Sequence, residues 1–308
     1  MADVEAVGRF QNRVLRIERR YVIQVRKAMG DMRRNLADAL AQGGVGSPSL
    51  IPLIREEFRT LARKASDLRR QVVEPLAAQA LWYAGRTVQD LQRAGVQIPG
   101  IETLSTASMR ERQQVLTEYL DPETTAWIGQ AEALFVTEVS RLRSSGAEPQ
   151  EAQKRLVATT VQDGRVSTWR NGFNTGQLAE SVALWGFTNG ILNRFWKAGE
   201  RATGEKFQRQ AIAAIDERTT DTCLLVHGQI VGMKEPFGIR GRPRFGDKIM
   251  APPFHWHCRT STTLYTPAME RIGIPTSEMR MMAKAERKAR KKTGRRVEIH
   301  PAHATSRR

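Results

Sequence analysis

Most of the cysteines and histidines of this 308-residue chain lie in one segment, residues 216–259. That segment contains both cysteines and three of the five histidines: Cys223, His227, His255, His257 and Cys258. Thiolate sulfur and imidazole nitrogen are ligands that Zn²⁺ prefers in proteins, usually four of them in a tetrahedron. The five residues are therefore candidate ligands of a structural zinc ion, although their spacing is not that of a common zinc finger.

Other interpretations of the same residues stay open. The cysteines can be buried without a ligand while the histidines bond to nearby carbonyl groups. Cys223 and Cys258 can instead form a disulfide, which a reducing cytosol disfavours. A cysteine with a histidine and Asp216 can act as a nucleophile with its base, and histidines beside basic residues occur in metal-dependent nucleases. Because no local signature of a cysteine hydrolase or of a known nuclease is present, we expect that the chain is not an enzyme.

The first half of the segment predicts a strand followed by a short helix. Residues 210–215 are an apolar run of strand length. A short oxygen-bearing side chain can cap the helix that follows, and the candidates are Thr219, Thr220 and Asp221. Gly228 suits the C-terminal end of this helix. Cys223 and His227 are four residues apart, so we expect them to share a helix face.

The second half of the segment cannot begin as a helix. Pro252 and Pro253 lack amide hydrogens and favour an extended path. In an extended chain His255 and His257 point to one side, and Cys258 points to the other side unless the chain turns.

The order of these residues resembles the sequence pattern of the phage Mu F-like minor head proteins, also called phage head morphogenesis proteins. The matching positions are Asp216, Arg218, Thr219, Cys223, Gly228, Pro252, Pro253, His255, Cys258 and Arg259. The aromatic pair Phe195-Trp196, interpreted as a strand, and the amphipathic stretch 166–187 also fit the pattern. The resemblance covers about a third of the chain, residues 165–270.

The chain departs from that family pattern in its cysteines. Many members carry further cysteines beside both motif halves, whereas here Thr260 follows Arg259 and Cys223 stands alone. His227 and His257 would have to take the places of the missing thiols in a metal site.

The resemblance implies a structural protein of the tailed-phage head, without enzymatic activity in the shared region. Family members lie at or near the portal vertex inside the capsid and are linked to head assembly and to packaged DNA. We therefore expect the portal protein, the inner capsid and non-specifically bound double-stranded DNA as partners, with multiple copies around the portal. The expected location is the virion, or the host cytoplasm during assembly. A metal-dependent nuclease and a plain DNA-binding module are the alternatives.

The charge of the chain also points to a polyanionic partner. The formal net charge is +17 and the isoelectric point is about 10.7, which favours nucleic acid first and an acidic protein surface second. The C-terminal residues 280–308 hold eleven basic and two acidic side chains, and such runs bind DNA phosphates without sequence preference. The candidate phosphate contacts are Arg240, Arg242, Arg244, Lys288, Arg290, Lys291, Lys292, Arg295 and Arg296.

Nothing in the sequence suggests secretion or a membrane span. Residues 1–5 are polar and acidic, unlike a secretory signal. The longest uncharged run, 181–193, is interrupted by glycine and asparagine and is too short to cross a bilayer. We therefore expect no membrane partner.

The hydrophobic periodicity predicts an α+β protein in three parts. Residues 1–164 form a long-helix N-terminal domain that we expect to dock on the portal or inner shell. Residues 165–270 form a small Mu F-like α+β domain, and residues 271–308 form a basic, flexible tail.

The predicted N-terminal domain is helical throughout. Helices over 4–42 and 50–94 form an antiparallel hairpin around a glycine-rich turn, and Pro75 should kink or split the second one. Further helices follow the proline-containing starts Asp121-Pro122-Glu123 and Glu148-Pro149.

The predicted second domain begins with a helix over 165–188, a turn at Asn189-Gly190 and a strand over 191–196. Three more strands are predicted over 210–215, 229–233 and 262–265. The glycine-, proline- and arginine-rich stretch 236–246 is predicted to be an exposed loop. Core packing is the expected role of four tryptophans: Trp169, Trp185, Trp196 and Trp256.

Overall fold

A computed structural model describes most of the chain. The described residues are 4–96, 121–159, 167–204, 206–214, 220–239, 245–256, 258–267 and the single positions 281, 285 and 288. They are mostly helical with a small antiparallel sheet, which agrees with the predicted α+β class. The chain forms two compact units, and neither is continuous in sequence. The helical unit comprises residues 18–73 and 117–183, and the sheet unit comprises residues 1–17, 74–116 and 184–308.

Two features of the predicted domain layout fall outside the described residues. The boundary at Gly164 is one of them, and most of the tail 271–308 is the other. Within the tail, Met281, Ala285 and Lys288 are helical and exposed. The three-part division by sequence order therefore stays a prediction.

Two long helices begin the chain, as the sequence predicts. α1 spans Val4–Gly43 and α2 spans Leu50–Arg93. α1 buries its apolar seam, which consists of Val7, Phe10, Val14, Tyr21, Val25, Met29, Met32, Leu36 and Leu40. Gly44, with φ of +61°, takes the left-handed conformation that ends α1. The ring of Phe10 stacks on that of Tyr83, with centroids 4.5 Å apart, and Asn35 donates a hydrogen bond to Glu57, so the two helices are antiparallel.

α2 runs through Pro75 without a break, so the predicted split at that residue is wrong. A proline inside a helix removes one amide donor, which here would have bonded the carbonyl of Gln71. The neighbouring side chains Val73, Leu76 and Ala77 are buried. Their packing holds the turns on both sides of the proline in place.

The core of the helical unit is aromatic. α3 spans Asp121–Ser144, α4 spans Pro149–Val157, and α5 spans Thr168–Thr203. The ring centroid of Phe173 lies 4.0 Å from that of Trp169 and 6.0 Å from that of Phe58. Gly176 allows α5 to approach α3 closely, because a Cβ atom at this position would lie 2.4 Å from the ring of Trp127.

A buried carboxylate connects three helices of the helical unit. Glu180, which is fully buried, accepts hydrogen bonds from the Tyr21 hydroxyl at 2.5 Å and from the Trp127 indole nitrogen at 2.9 Å. Burial, together with the charge of Glu180, raises the pKa of Tyr21 well above its ordinary value. Tyr21 therefore stays protonated and acts as a hydrogen-bond donor.

α5 contradicts two expectations. The predicted turn at Asn189-Gly190 and the predicted strand 191–196 both lie inside this helix. Its apolar side chains keep helical spacing past residue 188, and the buried ones are Leu184, Trp185, Phe187, Ile191, Leu192, Phe195 and Trp196. Asn189 is buried and donates to the Trp185 carbonyl at 2.9 Å, one helical turn back. The polar pair therefore lies within the helix and does not end it.

None of the helices in the described part of the chain combines the length and the apolar character needed to cross a membrane.

A three-stranded antiparallel sheet forms the centre of the sheet unit. β1 spans Gln208–Ile212, β2 spans Ile230–Gly232 and β5 spans Ser261–Tyr265, in the order β2-β1-β5. The short helix α6, Asp221–Val226, connects β1 and β2. All four elements were predicted from the sequence to within two or three residues.

The stretch 236–246 is only partly the exposed loop that its composition predicts. β3 spans Phe237–Gly238 and pairs with β4, Lys248–Ile249. Phe237 is fully buried, and its ring centroid lies 5.5 Å from that of Phe254. An aromatic ring in a glycine-rich stretch is thus a core residue here, beside the segment that carries the candidate site.

Candidate metal centre

The two halves of the sequence motif meet inside the sheet unit. Thr220 caps α6, since its hydroxyl accepts the amide of Cys223 at 3.4 Å, and this fixes the helix that carries the first thiol. The segment after the cis Pro252–Pro253 peptide bond carries His255 and Cys258. A cluster of one imidazole and two thiols results.

The three candidate ligand atoms are close together and shielded from solvent. The Cys223 Sγ atom lies 2.7 Å from His255 Nε2 and 3.8 Å from Cys258 Sγ. All three ligand atoms lie within 4.8 Å of one another. The exposed fractions of Cys223, His255 and Cys258 are 4%, 5% and 1%. Both thiols are free, so the disulfide interpretation does not describe this state of the chain.

A turn brings Cys258 to the same side as His255. The amide of Cys258 donates to the His255 carbonyl at 3.1 Å. An extended chain would have directed these side chains to opposite sides. This turn makes a shared site possible.

The hydrogen bonds of His255 fix which ring nitrogen faces the thiols. His255 Nδ1 lies 2.5 Å from the Trp256 carbonyl, which can only accept, so Nδ1 carries the hydrogen. In the neutral ring Nε2 then has a free lone pair, directed at Cys223 Sγ and at the Thr220 hydroxyl, 2.9 Å away. A backbone carbonyl on the distal nitrogen is also the usual partner of a metal-bound histidine.

The two thiols do not titrate independently. The hydrogen bond with Cys258, together with burial, raises the pKa of Cys223 well above its ordinary value. Burial opposes the ionisation of Cys258, but the hydrogen bond from Cys223, together with the hydrogen bond and positive charge of His255 when its ring is protonated, outweighs it and lowers the pKa of Cys258 well below its ordinary value. The cluster therefore accommodates one thiolate readily, and a second thiolate only with an added positive charge.

The two sulfur atoms and one nitrogen atom of the cluster, and the distances between them, fit a soft divalent ion. Zinc–sulfur bonds of about 2.3 Å in a tetrahedron place two sulfurs about 3.8 Å apart, which equals the separation of Cys223 and Cys258. The 2.7 Å contact between Cys223 and His255 is shorter than the matching sulfur–nitrogen edge of about 3.5 Å. Insertion of an ion would therefore move these two side chains apart by less than about 1 Å. The buried group can hold a metal such as zinc.

His227, one of the five candidate ligands, lies outside the cluster that the described residues form. It occupies the C-cap of α6 with an extended backbone, ψ 135°, and the helix-face argument stops applying there. Its Nδ1 accepts the Ala213 amide at 3.0 Å, so Nε2 carries the hydrogen. Burial lowers the pKa of His227 to about 4, which keeps the ring neutral. His257 lies outside the described residues.

The other predicted residues differ in how much of them the structure describes. Pro252 and Pro253 begin the segment that carries His255, and Arg259 is half-buried beside Cys258. Of the predicted phosphate contacts, Lys288 is exposed and helical. The remaining positions lie outside the described residues: Asp216, Arg218, Arg240, Arg242, Arg244, Arg290, Lys291, Lys292, Arg295 and Arg296.

Sequence reasoning missed Arg209, which supports the segment leading to the cluster. This β1 residue is fully buried, and its guanidinium donates to the carbonyls of Gly232, Glu235 and Met250 at 2.6 to 3.1 Å. It also donates to the Asn193 side chain at 2.8 Å. Burial lowers the pKa of Arg209 to about 10, so the group stays charged at neutral pH. The only signal in the sequence is an arginine directly before the predicted strand 210–215.

Comparisons with known proteins give no family assignment for this arrangement. No family profile, no curated protein and no solved structure matches the chain. The likeness to the Mu F-like proteins therefore rests on the motif residues of the sequence alone.

Proposed function

We propose that this chain is a structural minor head protein of a tailed phage, associated with the portal vertex inside the head and in contact with packaged DNA. The observation that carries the proposal is the meeting of both motif halves, about thirty residues apart, at the buried Cys223–His255–Cys258 cluster. Motif residues that converge in a core suit a scaffold, because buried groups meet a substrate only when the chain opens locally. This favours a structural role for the motif over a catalytic one.

Within this proposal the cluster holds a structural Zn²⁺ ion through Cys223, His255 and Cys258. Bound there, the ion would cross-link α6 to the segment after Pro253 and neutralise the thiolates. His257 remains a candidate for the fourth ligand by its position in the sequence. Because the ligand residues are only 1–5% exposed, the site suits a closed structural ion better than one that meets DNA.

The proposed contact with DNA is electrostatic. With a net charge of +17 the chain is attracted to any polyanion. The arginines of residues 240–244 and the basic residues of 280–308 are the proposed phosphate contacts. Because such contacts do not read bases, the binding is expected to be non-specific and sensitive to salt.

The proposed contact with the portal or inner shell involves the helical N-terminal half. On α1 the exposed side chains between residues 9 and 27 include no acidic group: they are Arg9, Asn12, Arg13, Arg16, Arg19, Arg20, Ile23, Gln24, Arg26 and Lys27. Glu18 in the same stretch is buried. A helix with this surface fits an acidic partner surface.

The test is cofractionation with assembled heads. The chain is expressed with the other head genes of its phage, and DNA-filled heads are purified and analysed by mass spectrometry. We expect a few copies per head and cross-links from α1 lysines or arginines to the portal protein. A chain that stays soluble while complete heads form without it would overturn the proposal.

Two further experiments separate the alternatives. A metal-dependent nuclease would nick plasmid DNA when zinc, magnesium or manganese is added to the pure chain, and burial of the cluster argues against this outcome. A plain DNA-binding module would bind portal protein only through DNA. Association with isolated portal after nuclease treatment is the result expected of a head protein.

A further inference from the structure

The two thiols of the cluster are in direct contact, yet they belong to different elements. Cys223 lies on α6 and Cys258 follows the turn after His255, and their sulfurs are 3.8 Å apart. Both are free. A disulfide needs these sulfurs to approach to about 2.05 Å, which is a local movement of less than about 2 Å. The same pair of sulfurs can therefore be bridged either by an ion or by a covalent bond.

These two states exclude each other. A metal needs both cysteines as thiolates, and a disulfide sulfur has no negative charge to donate. His255 is adjacent to the pair, with its lone pair at 2.7 Å from Cys223 Sγ, so it can serve as a metal ligand in one state and accept the thiol proton on the way to the other. Thr260 donates to the same sulfur at 3.2 Å.

We propose that the Cys223–His255–Cys258 cluster is a redox-gated metal site, which holds a soft divalent ion while its thiols are reduced and releases the ion when they close as a disulfide. The inference rests on the proposed function for one point only, the change of compartment. A head protein is made in the reducing host cytoplasm and ends in a particle outside the cell, where disulfides persist.

The chemistry is an ordinary thiol–disulfide exchange with a low-molecular-weight disulfide such as glutathione disulfide. Cys258, as the thiolate of the pair, attacks one glutathione sulfur; the glutathione S–S bond breaks and one glutathione thiolate leaves. Cys223, after giving its proton to His255, then attacks the Cys258 sulfur of the mixed disulfide, and the second glutathione leaves. From the metal-free cluster the two protein thiols lose two electrons and two protons, and glutathione disulfide gains them as two thiols. From the metal-bound cluster the two thiolates lose the same two electrons, the ion leaves to solvent, and the two glutathione thiolates take their protons from solvent. Because both cysteines are buried, the exchange proceeds through local opening of the segment.

The experiment follows zinc and thiols together in one titration. Full-length, zinc-loaded chain is equilibrated in glutathione buffers from fully reduced to fully oxidised. Bound zinc is measured by elemental mass spectrometry, and free thiols are measured by alkylation of the denatured chain. We expect one zinc and two thiols to be lost in the same step, with a Cys223–Cys258 cross-linked peptide in a monomeric chain. Thiols that stay free in fully oxidised buffer, or that end as glutathione adducts or intermolecular disulfides, overturn the proposal.

Two variants test the coupling between metal and disulfide. His255→Asn keeps both sulfurs but removes one ligand, so it should bind zinc at least about 10-fold more weakly and oxidise at a lower fraction of glutathione disulfide. Thr260→Val is the matched control, because it alters the packing around Cys223 without removing a proposed ligand, and it should keep its zinc. An unchanged oxidation point in His255→Asn contradicts the coupling.

The wild-type chain gives the same comparison without any substitution. Excess free zinc should raise the ratio of glutathione disulfide to glutathione needed for oxidation, and removal of zinc by a chelator should lower it. Equal oxidation points with and without zinc contradict the proposal. A chain that cofractionates with heads but shows no coupled loss of zinc and thiols refutes the redox gate alone, whereas coupled loss in a chain absent from heads refutes the head assignment alone.

Discussion

At the scale of single residues, the structure explains why three of the five candidate ligands come together. Cys223, His255 and Cys258 could be predicted, because residue type and the two proline-marked halves already limit the choice. His227 does not join them. The prediction that it shares a helix face with Cys223 assumes that the helix continues through residue 227, whereas α6 ends one residue earlier. Arg209 could not be predicted, since an arginine in a strand is usually exposed and only three-dimensional contacts show its four acceptors.

His227 predicts a pH dependence of stability. Its folded pKa of about 4 lies below the ordinary value of 6.5, so between these values the unfolded chain binds a proton that the folded chain does not. The stability contributed by the neutral ring is complete above pH 6.5 and is lost as the pH falls towards 4, by up to about 3 kcal/mol. Urea unfolding of the metal-free chain at several pH values measures this loss.

The control for His227 is the His227→Asn variant. An asparagine oxygen can accept the Ala213 amide in place of Nδ1, but it does not titrate in this range. The variant should lose most of the dependence between pH 6.5 and 4. A wild-type slope that persists in His227→Asn would assign the titration to another group.

Even a conservative substitution of Arg209 should lower the free energy of unfolding considerably. The lysine of an Arg209→Lys variant has a single side-chain nitrogen and cannot reach the three carbonyls and the Asn193 oxygen that the guanidinium contacts. The buried acceptors left without a donor should lower the free energy of unfolding by about 2 to 4 kcal/mol. Arg201→Lys, at an exposed position of α5, should change it by less than about 0.5 kcal/mol. Equal effects of the two substitutions in chemical denaturation would contradict this role.

At the scale of elements, the sequence was most informative where periodicity is long and least informative where a polar pair interrupts it. α1 and α2 were predicted nearly to the residue, because each carries a seam of apolar side chains over ten turns or more. α5 was divided wrongly at Asn189-Gly190, since a turn signal from two residues was given more weight than the spacing of Phe187, Ile191 and Phe195 around them. The Asn189 side chain bonds to the Trp185 carbonyl of its own helix, a local alternative to the turn that an Asn-Gly pair favours.

Gly176 tests the close approach of α5 to α3. A methyl group added there would meet the Trp127 ring at 2.4 to 2.7 Å, and that ring is itself bonded to Glu180. Gly176→Ala should therefore destabilise the chain by about 2 to 4 kcal/mol despite the better helix propensity of alanine. Gly129→Ala in α3, where nothing lies within 4 Å of the added atom, should stabilise it by up to about 1 kcal/mol. Thermal melts of the pair should move in opposite directions, and shifts of the same sign would show that the contact is not maintained.

At the scale of the whole molecule, the residues that carry much of the net charge differ from those that form the core of the described residues. Arg209 and the residues of the Cys223–His255–Cys258 cluster are buried in the sheet unit. Much of the net charge lies instead in residues 280–308, none of which belongs to the core cluster of the described residues. A chain ending at residue 279 should therefore keep its zinc and its unfolding free energy. It should differ from the full chain mainly in its attraction to polyanions.

DNA binding by these two chains gives the decisive comparison. The full chain should bind double-stranded DNA of any sequence, and if about six phosphates are neutralised its affinity should fall by about a thousandfold between 50 and 200 mM salt. Removal of residues 280–308 should weaken binding at low salt and flatten the salt slope, because fewer counterions are released. Substitution of Arg240, Arg242 and Arg244 by glutamine is the matched control, as it removes three charges and should lower the slope by less. If the shortened chain keeps the full slope, the phosphate contacts lie elsewhere, and the exposed arginines of α1 become the surface that meets DNA instead of an acidic head protein.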